Sequence, residues 1–276
     1  MEMRDNPKRF LATGSFHLTN VDLQTVTSRH ESSVSRYIHR TAEAIAEHSR
    51  VFIKFVEQAE APGVRLNFFE IAGFPGVIGC IDGVHIPISN PGGINSEKWR
   101  NRKNIFSINV QVVSDHDMKI RDIVAYWHGS AHDARIFDNC SLKFRFDENK
   151  FDGRLLGDAG YPLKTYLMTP INAPTAQAER RYNTSHRRTR ITVERLFGIW
   201  KRLFPALQFG LRFRPERASV IIVAAAILHN IARNCREEEF FDDFGLEPEE
   251  DEFPVAQAAQ AGPIAARNAL VREYFL

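Results

Sequence analysis

The order of strand-like and helical segments predicts a mixed α/β fold, in which helices flank a central sheet whose strands run in both directions. Three strand-like runs at 77–89, 105–113 and 120–127 follow one another through short connections, which is typical of antiparallel neighbours. A helical segment then separates them from two short apolar runs, and a strand reached through a helix usually pairs in parallel. Two long helical segments follow.

The part of the chain before the sheet is predicted to be helical, because apolar residues between 9 and 60 recur mostly at helical offsets. Segments 21–26 and 32–38 are separated by a polar turn, with Ser32 as N-cap of the second, which is the pattern of a helix-turn-helix. A plain helical hairpin packed on the rest of the protein fits the same residues, so both interpretations stay open. Residues 62–75 are punctuated by Pro and Gly and are predicted to form an irregular connection.

The segments after the third strand complete the prediction. Residues 133–146 are expected to be helical, and 155–157 and 166–171 to form short strands. Long helices are predicted over 176–204 and over 215–235, and the second is apolar on all sides, which indicates burial. Together these elements have the order of a ribonuclease-H-like core, a mixed sheet with helices on both faces.

The composition is that of an ordinary globular protein with an uneven charge distribution. Apolar residues make up 43% and charged residues 25% of the 276 residues. Ten acids and no Lys or Arg fall within 237–252, so the rest of the chain carries +12 against an overall net charge of +2. A basic body with an acidic tail is common among nucleic-acid-binding proteins, although a solubilising charge run explains the tail alone at least as well. The Ala-rich residues 256–270 are expected to fray.

Several classes of chemistry have no support in the sequence. The cysteines, Cys80, Cys140 and Cys235, are scattered and odd in number, which indicates a reducing compartment. The histidines show no spacing typical of zinc sites, and no phosphate-binding glycine loop is present. No run approaches the ~20 apolar residues that span a bilayer, so we expect an intracellular protein that does not engage a membrane.

Three acidic residues, Asp82, Asp158 and Glu194, are candidates for a metal-dependent nuclease site. Asp82 and Asp158 each end a short apolar run, and Glu194 lies in a basic helical segment. Carboxylates are costly to bury among apolar residues, so their convergence makes sense if divalent cations such as Mg²⁺ or Mn²⁺ compensate them. Two such ions would activate a water and neutralise the leaving oxygen of a phosphodiester, with Asp82 shared between them.

Each of these acids also has a structural explanation. An Asp at the end of a strand is usually a turn or helix cap, and Asp115, Asp117 and Asp133 compete for the site by the same criterion. Asp133 is expected to cap its helix, with a role as auxiliary ligand as the alternative. Spacing alone leaves the metal site and the separate caps both open.

Basic residues near these acids are candidates for contacting nucleic acid. Arg187, Arg190, Glu194 and Lys201 share one stripe of the predicted long helix, at offsets of three, four and seven residues. Cations beside a metal-ligating acid suit the phosphate backbone, whereas a solvated face with helix ion pairs is the alternative. A second basic group near Trp99 comprises Arg100, Arg102 and Lys103.

Ordered motifs over about residues 9–235 resemble the harbinger/PIF transposase superfamily, which includes harbinger transposase-derived nucleases. The block at 76–88, Gly-Val-Ile-Gly-Cys-Ile-Asp-Gly-Val-His-Ile-Pro-Ile, resembles the first-aspartate strand of the family, with Val84 where Thr is common. His-Gly-Ser-Ala-His-Asp resembles its P-G-S-x-x-D segment, with His128 where Pro is usual. The remaining matches are a block over 99–115, the second-aspartate block Leu-Leu-Gly-Asp-Ala-Gly-Tyr-Pro-Leu (155–163), the glutamate helix over 182–204, and Leu228-His229-Asn230.

The resemblance implies a DDE domain in which Asp82, Asp158 and Glu194 form the catalytic, metal-binding triad. The 35 residues between Asp158 and Glu194 are a spacing usual for such enzymes. Asp115 and Asp133 lie in matching blocks and are therefore candidates for auxiliary ligands. We expect a metal-dependent DNA endonuclease, and the alternative is a domesticated DNA-binding or scaffold protein that no longer cuts.

The expected organisation is a helix-turn-helix-like segment at 1–61, a DDE endonuclease domain at 76–236, and an acidic, Ala-rich tail at 237–276. The resemblance also implies DNA and a separate Myb-like DNA-binding protein as partners. The nucleus is the expected location, and neither a cytoplasmic pool nor a homo-oligomer conflicts with the sequence.

Overall fold

A computed structural model describes residues 31–235 and 260–276. The first helix proposed for the helix-turn-helix, at 21–26, and the acidic segment at 237–252 lie outside the described residues. The helices of the described residues, in chain order, are α1 (Glu31–Ala46), α2 (Ser49–Phe52), α3 (Ala61–Ala72), α4 (Asp133–Asp138), α5 (Ser141–Asp147), α6 (Gln177–Leu203), α7 (Ala206–Phe209), α8 (Pro215–Cys235) and α9 (Ala261–Tyr274).

Five strands form one sheet in the order β3-β2-β1-β4-β5. The long strands β1 (Val77–Pro87), β2 (Ser107–Ser114) and β3 (Ile120–His128) pair antiparallel. The short strands β4 (Arg154–Leu156) and β5 (Leu167–Met168) continue the sheet in parallel with β1. The predicted mixed α/β fold is confirmed, including the change from antiparallel to parallel pairing after the intervening helical segment.

Different helices cover the two faces of this sheet. On one face Trp200 of α6 and Ile222 of α8 belong to the same buried cluster as Val110 of β2. On the other face Phe137 of α4 belongs to a buried cluster with Val113 of β2. Every residue of β2 is buried, and this strand pairs with β1, the middle strand of the sheet, from Cys80 to Pro87.

Helix α1 contains the second segment of the proposed helix-turn-helix. Its buried side chains Val34, Ile38 and Ala42 belong to the same cluster as residues of α8, so this face of α1 packs against the rest of the protein. The opposite face presents exposed residues such as Tyr37 and Arg40 to solvent. The described residues therefore show a helix docked on the body of the protein, which both sequence interpretations allow.

Two segments differ from the sequence prediction. The connection expected at 62–75 is mostly helix α3, since Pro62 lies in the first turn, where its lack of an N–H costs nothing, and Gly73 ends the helix with φ +73. The single helix expected at 133–146 is two helices, because Cys140 is extended (φ −94, ψ 150) and its Sγ accepts the Lys143 N–H as the N-cap of α5.

The expectation that the Ala-rich segment frays is wrong for its described part. Helix α9 places Leu270, Val271 and Phe275 in a buried cluster. The Phe275 ring lies 5.6 Å from the rings of both Phe74 and Tyr182. Burial of these side chains supplies a packing energy that helix propensity in the Ala-rich sequence alone does not show.

Helix α8 is long and apolar enough to cross a bilayer by length and composition alone, but half of its apolar window is buried inside the protein. Near its end, His229 Nε2 donates to Met118 O at 2.8 Å. The Asn230 amide accepts from Ile120 N and donates to Ile120 O and Phe52 O, at 2.7 to 2.9 Å. We call His229 and Asn230 with these backbone partners the α8 clasp, because they fix α8 to the start of β3.

Candidate active site

Asp82 lies within β1, and Asp158 lies two residues beyond the end of the neighbouring parallel strand β4. Cys80 of β1 pairs with Leu156 of β4, and each acid follows two residues later. Paired strands lie ~4.8 Å apart, and both acids follow a paired position by the same number of residues, so the two residues come near each other at this edge of β1. The Asp158 carboxylate raises the pKa of Asp82, which agrees with this proximity.

Glu194 is linked to Asp82 through Arg190, one turn earlier in α6. Arg190 Nη1 lies 2.9 Å from Asp82 Oδ2, and its Nη2 lies 2.6 Å from Glu194 Oε1. The Arg190 side chain is only 4% exposed, so these acids share a positive charge that is withdrawn from solvent. The fold therefore brings the three predicted acids into one neighbourhood, with a guanidinium between two of them.

Asp133 is a fourth acid of this neighbourhood and does not cap its helix. The N-cap of α4 is His132, which makes no capping hydrogen bond with its side chain. Asp133 Oδ1 instead accepts the Asn109 Nδ2 amide of β2 at 2.8 Å. A Cβ placed on Gly83 would meet Asp133 Oδ1 at 2.4 Å, so the carboxylate approaches β1 where a side chain would exclude it. Asp133 also raises the pKa of Asp82.

The electrostatics of the site centre on Asp82, whose pKa is raised to about 8. Burial is the main cause and repulsion from Asp158 and Asp133 adds to it, while Arg190 opposes it. Ionised Asp82 is therefore held at a cost that a further cation would relieve. Burial also raises the pKa of the neighbouring Cys80 thiol far above its usual range, which makes Cys80 an unreactive thiol.

The donor chemistry of these acids fits a divalent cation. Carboxylate oxygens are the hard ligands that Mg²⁺ and Mn²⁺ favour, so the chemical type of these side chains suits such an ion. Within residues 31–235 and 260–276, no three His, Cys, Asp or Glu side chains stand close enough together to hold a metal ion. Arg190 engages one oxygen each of Asp82 and Glu194, so closing a ligand set requires these side chains to shift.

Asp115 lies in the turn between β2 and β3, away from the other acids. Its Oδ1 accepts the backbone N–H groups of Asp117 and Lys119 at 3.0 and 2.9 Å, which is a turn-stabilising role. Val112 is the residue of β2 that faces Asp82, so Asp115 lies three positions, roughly 10 Å, further along the strand. The structure therefore does not bring Asp115 to the site.

The basic residues predicted near the site differ in their surroundings. Arg190 is buried against the acids, so it does not face DNA as proposed, and Arg100 pairs with Glu97 at 2.7 Å and stacks on Phe106. Arg187 is exposed on α6. The others gather around His85, whose Nδ1 lies 3.1 Å from Ser107 Oγ, and we call them the basic rim: Arg102, Lys103 and Lys201.

The basic rim is located by its effect on His85. The pKa of His85 is lowered, first by desolvation, with the positive charges of Lys201, Arg102 and Lys103 adding to the effect and Asp133 opposing it. Cations from α6 and from the loop before β2 therefore lie within electrostatic range of His85, as does Asp133. Such a rim suits the phosphate backbone of a nucleic acid that enters the site.

Two residues that meet Asp133 were not predicted from the sequence: Gly83 and Asn109. Asn109 had a visible signal, since Ser107, Asn109 and Gln111 alternate with apolar residues in a strand that proves to be buried on both faces. Gly83 follows Asp82 directly, and only the tertiary structure shows that its missing side chain admits Asp133.

Comparisons with known proteins place these residues in a family context. A family profile described as "DDE superfamily endonuclease" matches residues 81–230. The human protein named "Putative nuclease HARBI1" is 33% identical over 230 residues, which cover 81% of this chain and 64% of that protein. This chain thus spans just under two thirds of the length of that relative. The Arabidopsis thaliana protein named "Protein ALP1-like" is 26% identical over 243 residues, 80% of this chain and 58% of its own length. No solved structure matches the chain.

Proposed function

The chain belongs to the DDE superfamily endonucleases, and on this premise we propose that it is a divalent-metal-dependent nuclease that hydrolyses phosphodiester bonds in DNA. The observation that carries the proposal is that Asp82 and Asp158 each follow a paired residue of adjacent parallel strands by two positions, while Arg190 contacts both Asp82 and Glu194. Acids that repel one another in a buried site are costly for folding alone, so their gathering is better explained by a cation that they bind.

Asp82, Asp158 and Glu194 are the proposed ligands, in a two-metal arrangement where Asp82 serves both ions. When bound, the ions would make a nucleophilic water more acidic and neutralise charge on the leaving oxygen. The protein itself holds the ligands on or next to regular elements, since Asp82 lies within β1, Asp158 follows β4 and Glu194 lies within α6. Arg190 keeps Asp82 and Glu194 paired before cations arrive.

The basic rim is the proposed entry for the DNA backbone. Lys201 follows Glu194 by two turns of α6, and Arg102 and Lys103 approach from the loop before β2. Charges placed beside the acid site would hold the phosphates on either side of the cut, which positions the scissile bond without contacting it. Exposed Arg187 extends the same helix surface.

The experiment is nicking of supercoiled plasmid with Mn²⁺ by the wild type and by variants of matched charge. Asp158→Asn and Glu194→Gln are expected to lower the nicking rate at least ~100-fold, because each removes a proposed metal ligand. Glu148→Gln, an exposed acid paired only with Lys150 on the surface, is the control and should cut like the wild type. Equal nicking by all four proteins would mean that the cutting occurs elsewhere.

A second candidate is a domesticated DNA-binding or scaffold protein without nuclease activity. The contacts of Arg190 favour it, since this guanidinium already pairs with Asp82 and Glu194 as a purely structural ion pair would. Calorimetry distinguishes the two candidates. A nuclease binds Mn²⁺ and loses that binding in Asp82→Ala, whereas a scaffold shows the same heat for both proteins.

The partners and the location of the protein follow from the same proposal. We propose that DNA is the substrate, that a separate Myb-like DNA-binding protein assists target recognition, and that the protein works in the nucleus. The resemblance of the motifs supports all three, and the basic rim supports the first. Co-purification with nuclear Myb-like proteins, compared between wild type and a variant with an altered α1 surface, tests the second.

A further inference from the structure

We propose that the segment between α6 and α8 forms a second DNA-contacting surface, on which Phe209 stacks against an unpaired base of a strand that leads to the acid site. Arg212 and Arg214, which follow Phe209 in the chain, would hold the phosphates of that strand. We call these three residues the Phe209 platform. The proposal rests on the proposed function, since it names the form of DNA that reaches the acids, and it adds residues outside the triad and the basic rim.

The platform segment lies on the same face of the sheet as Asp82. Alternate residues of a strand share a face, so Asp82 lies on the side of β1 that carries Val84 and Ile86. These two side chains belong to one buried cluster with Trp200 of α6 and with Leu211 of the platform segment. A strand that passes over the acids on the α6 side therefore has the platform on its own side of the sheet.

The two elements that carry acids of the triad also lead toward the platform. Helix α6 continues from Glu194 to Leu203, a rise of roughly 14 Å, and β1 continues from Asp82 to Pro87 over roughly 17 Å. Pro87 O accepts the N–H of Leu211 at 2.9 Å, which fixes the platform segment to the end of β1. One DNA strand rises ~3.4 Å per nucleotide, so about five nucleotides cover this distance.

Phe209 is presented to solvent by an anchored backbone. Its side chain is 77% exposed, more than that of any other phenylalanine in the part of the chain that the structure describes. Its N–H donates to Pro205 O at 2.9 Å, and the preceding Leu207 is buried. Gly210 follows with φ +107, and a Cβ there would lie 3.3 Å from Pro87 Cβ, so the chain turns closely over β1. A ring on such a fixed backbone can stack on a base at little cost in backbone ordering.

The arginines beside this ring are directed outward by the burial of their neighbours. Leu211, Phe213 and Pro215 are buried, whereas Arg212 and Arg214 between them are exposed. An exposed aromatic ring next to exposed cations is the arrangement by which proteins bind single-stranded nucleic acid, since the ring stacks on a base and the cations contact the backbone.

The charge of the segment favours a nucleic acid over a second copy of this chain. Residues 201–217 contain five basic residues, Lys201, Arg202, Arg212, Arg214 and Arg217, and one acid, Glu216. In a symmetric dimer the same patch of each copy meets, so this surface would face its own positive charge. A phosphate backbone carries the opposite charge and is attracted instead.

The test of the ring is the affinity of the full chain for two fluorescent DNAs in EDTA, measured by anisotropy. One DNA is a blunt duplex, and the other is the same duplex with unpaired arms of about eight nucleotides on both strands, longer than the estimated span. Phe209→Ala should bind the forked DNA roughly 10-fold more weakly and the blunt duplex less than ~2-fold more weakly, because stacking needs an unpaired base. Phe144→Ala, which removes another exposed ring from α5, is the control and should bind both DNAs like the wild type.

The arginines are tested by the salt dependence of the same binding. Arg212→Ala and Arg214→Ala should each weaken binding to both DNAs and reduce the slope of log affinity against log salt by about 1, because phosphates are present in both. Arg272→Ala, an exposed residue of α9, is the control and should leave the slope unchanged. The thermal midpoint of every variant should equal that of the wild type, since all these side chains are exposed.

The outcomes separate this inference from the proposed function. If the wild type nicks plasmid but Phe209→Ala binds forked DNA equally well, the platform is wrong and the nuclease stands. If the loss on forked DNA is found in a wild type that does not nick, the platform stands and the nuclease is wrong. A wild type that binds neither DNA contradicts both. Equal losses on blunt and forked DNA, or a dimer in sedimentation that Phe209→Ala dissociates while DNA affinity stays unchanged, would also overturn the platform.

Discussion

The acid site and the α8 clasp bury polar side chains in opposite ways. In the clasp, Asn230 makes three hydrogen bonds to backbone groups of two other segments. In the acid site, by contrast, the charges of Asp158 and Asp133 both raise the pKa of Asp82. Satisfied polar groups stabilise a fold, whereas gathered like charges destabilise it. We therefore assign a structural role to the α8 clasp and a binding role to the acid site, although both lie within the matched family region.

The largest expected effect on stability is in the clasp. Asn230→Ala should lower the free energy of unfolding by about 3 kcal/mol, because it leaves buried backbone groups at Ile120 and Phe52 without partners. Urea unfolding at pH 7 measures the loss. Asn234→Ala, an exposed residue one turn later in α8, is the control and should change stability by less than ~0.5 kcal/mol. Equal losses in the two variants would remove the distinction between clasp and surface.

The two regions are expected to give opposite dependences on pH. Burial lowers the pKa of His229 to about 4, so the unfolded chain binds its proton more readily and stability falls by roughly 3 kcal/mol as pH drops from 6.5 through 4. Burial raises the pKa of Asp82 to about 8, so the folded chain binds that proton more readily and stability falls as pH rises from about 4 through 8. Urea unfolding across pH 4–9 measures both the loss of stability at low pH and the loss at high pH.

Two variants identify the residue that causes each of these losses of stability. Asp82→Asn should flatten the loss of stability above pH 6.5, and His229→Gln should reduce the loss below it. If the stability of the wild type still rises between pH 7 and 8, the raised pKa of Asp82 is contradicted.

A smaller effect is expected at the contact that brings Asp133 to the site. Gly83→Ala places a Cβ 2.4 Å from Asp133 Oδ1, and we expect a loss of about 2 kcal/mol in the free energy of unfolding. Gly63→Ala in α3 is the control, since a Cβ there meets nothing within 4 Å and the change should be neutral or stabilising. Urea unfolding measures both changes. An unchanged stability of Gly83→Ala would contradict the close approach of Asp133 to β1.

The smallest effect on stability is expected on the exposed face of α6. Arg187→Ala should change the free energy of unfolding by less than ~0.5 kcal/mol, because its side chain is exposed. It should instead lower DNA affinity and reduce the slope of log affinity against log salt by about 1, which a filter or fluorescence binding assay measures. Arg188→Ala, exposed but turned away around the helix, should affect the slope less.

The sequence predicted the sheet well because its signals are local. Alternation of apolar residues and short connections located β1, β2 and β3 to within about two residues. Helix α3 was not predicted because Pro62 and Gly63 are typical of a break in the sequence, although Pro is tolerated in the first turn of a helix. The break between α4 and α5 depends on the Cys140 cap, and helix α9 depends on burial against Phe74, which periodicity cannot report.

The acid site was only partly predictable for a related reason. Asp82, Asp158 and Glu194 could be proposed from motifs, and the helical offset already placed Arg190 beside Glu194. The contact of Arg190 with Asp82 crosses 108 residues of chain, so it required the fold, and it turned a predicted DNA contact into an internal ion pair. Asp133 and Asp115 were equivalent in the sequence, and only their partners, Asn109 and the turn amides, distinguish them.

The most direct test of the central claim compares the wild type with Asp82→Asn in urea unfolding at pH 8, with and without Mn²⁺. If Asp82 is a cation ligand held at a cost to the fold, Asp82→Asn is the more stable protein without metal. Saturating Mn²⁺ then stabilises the wild type and leaves the variant unchanged. A variant that is less stable without metal, together with a wild type that does not respond to Mn²⁺, would identify Asp82 as a structural partner of Arg190 and contradict the account.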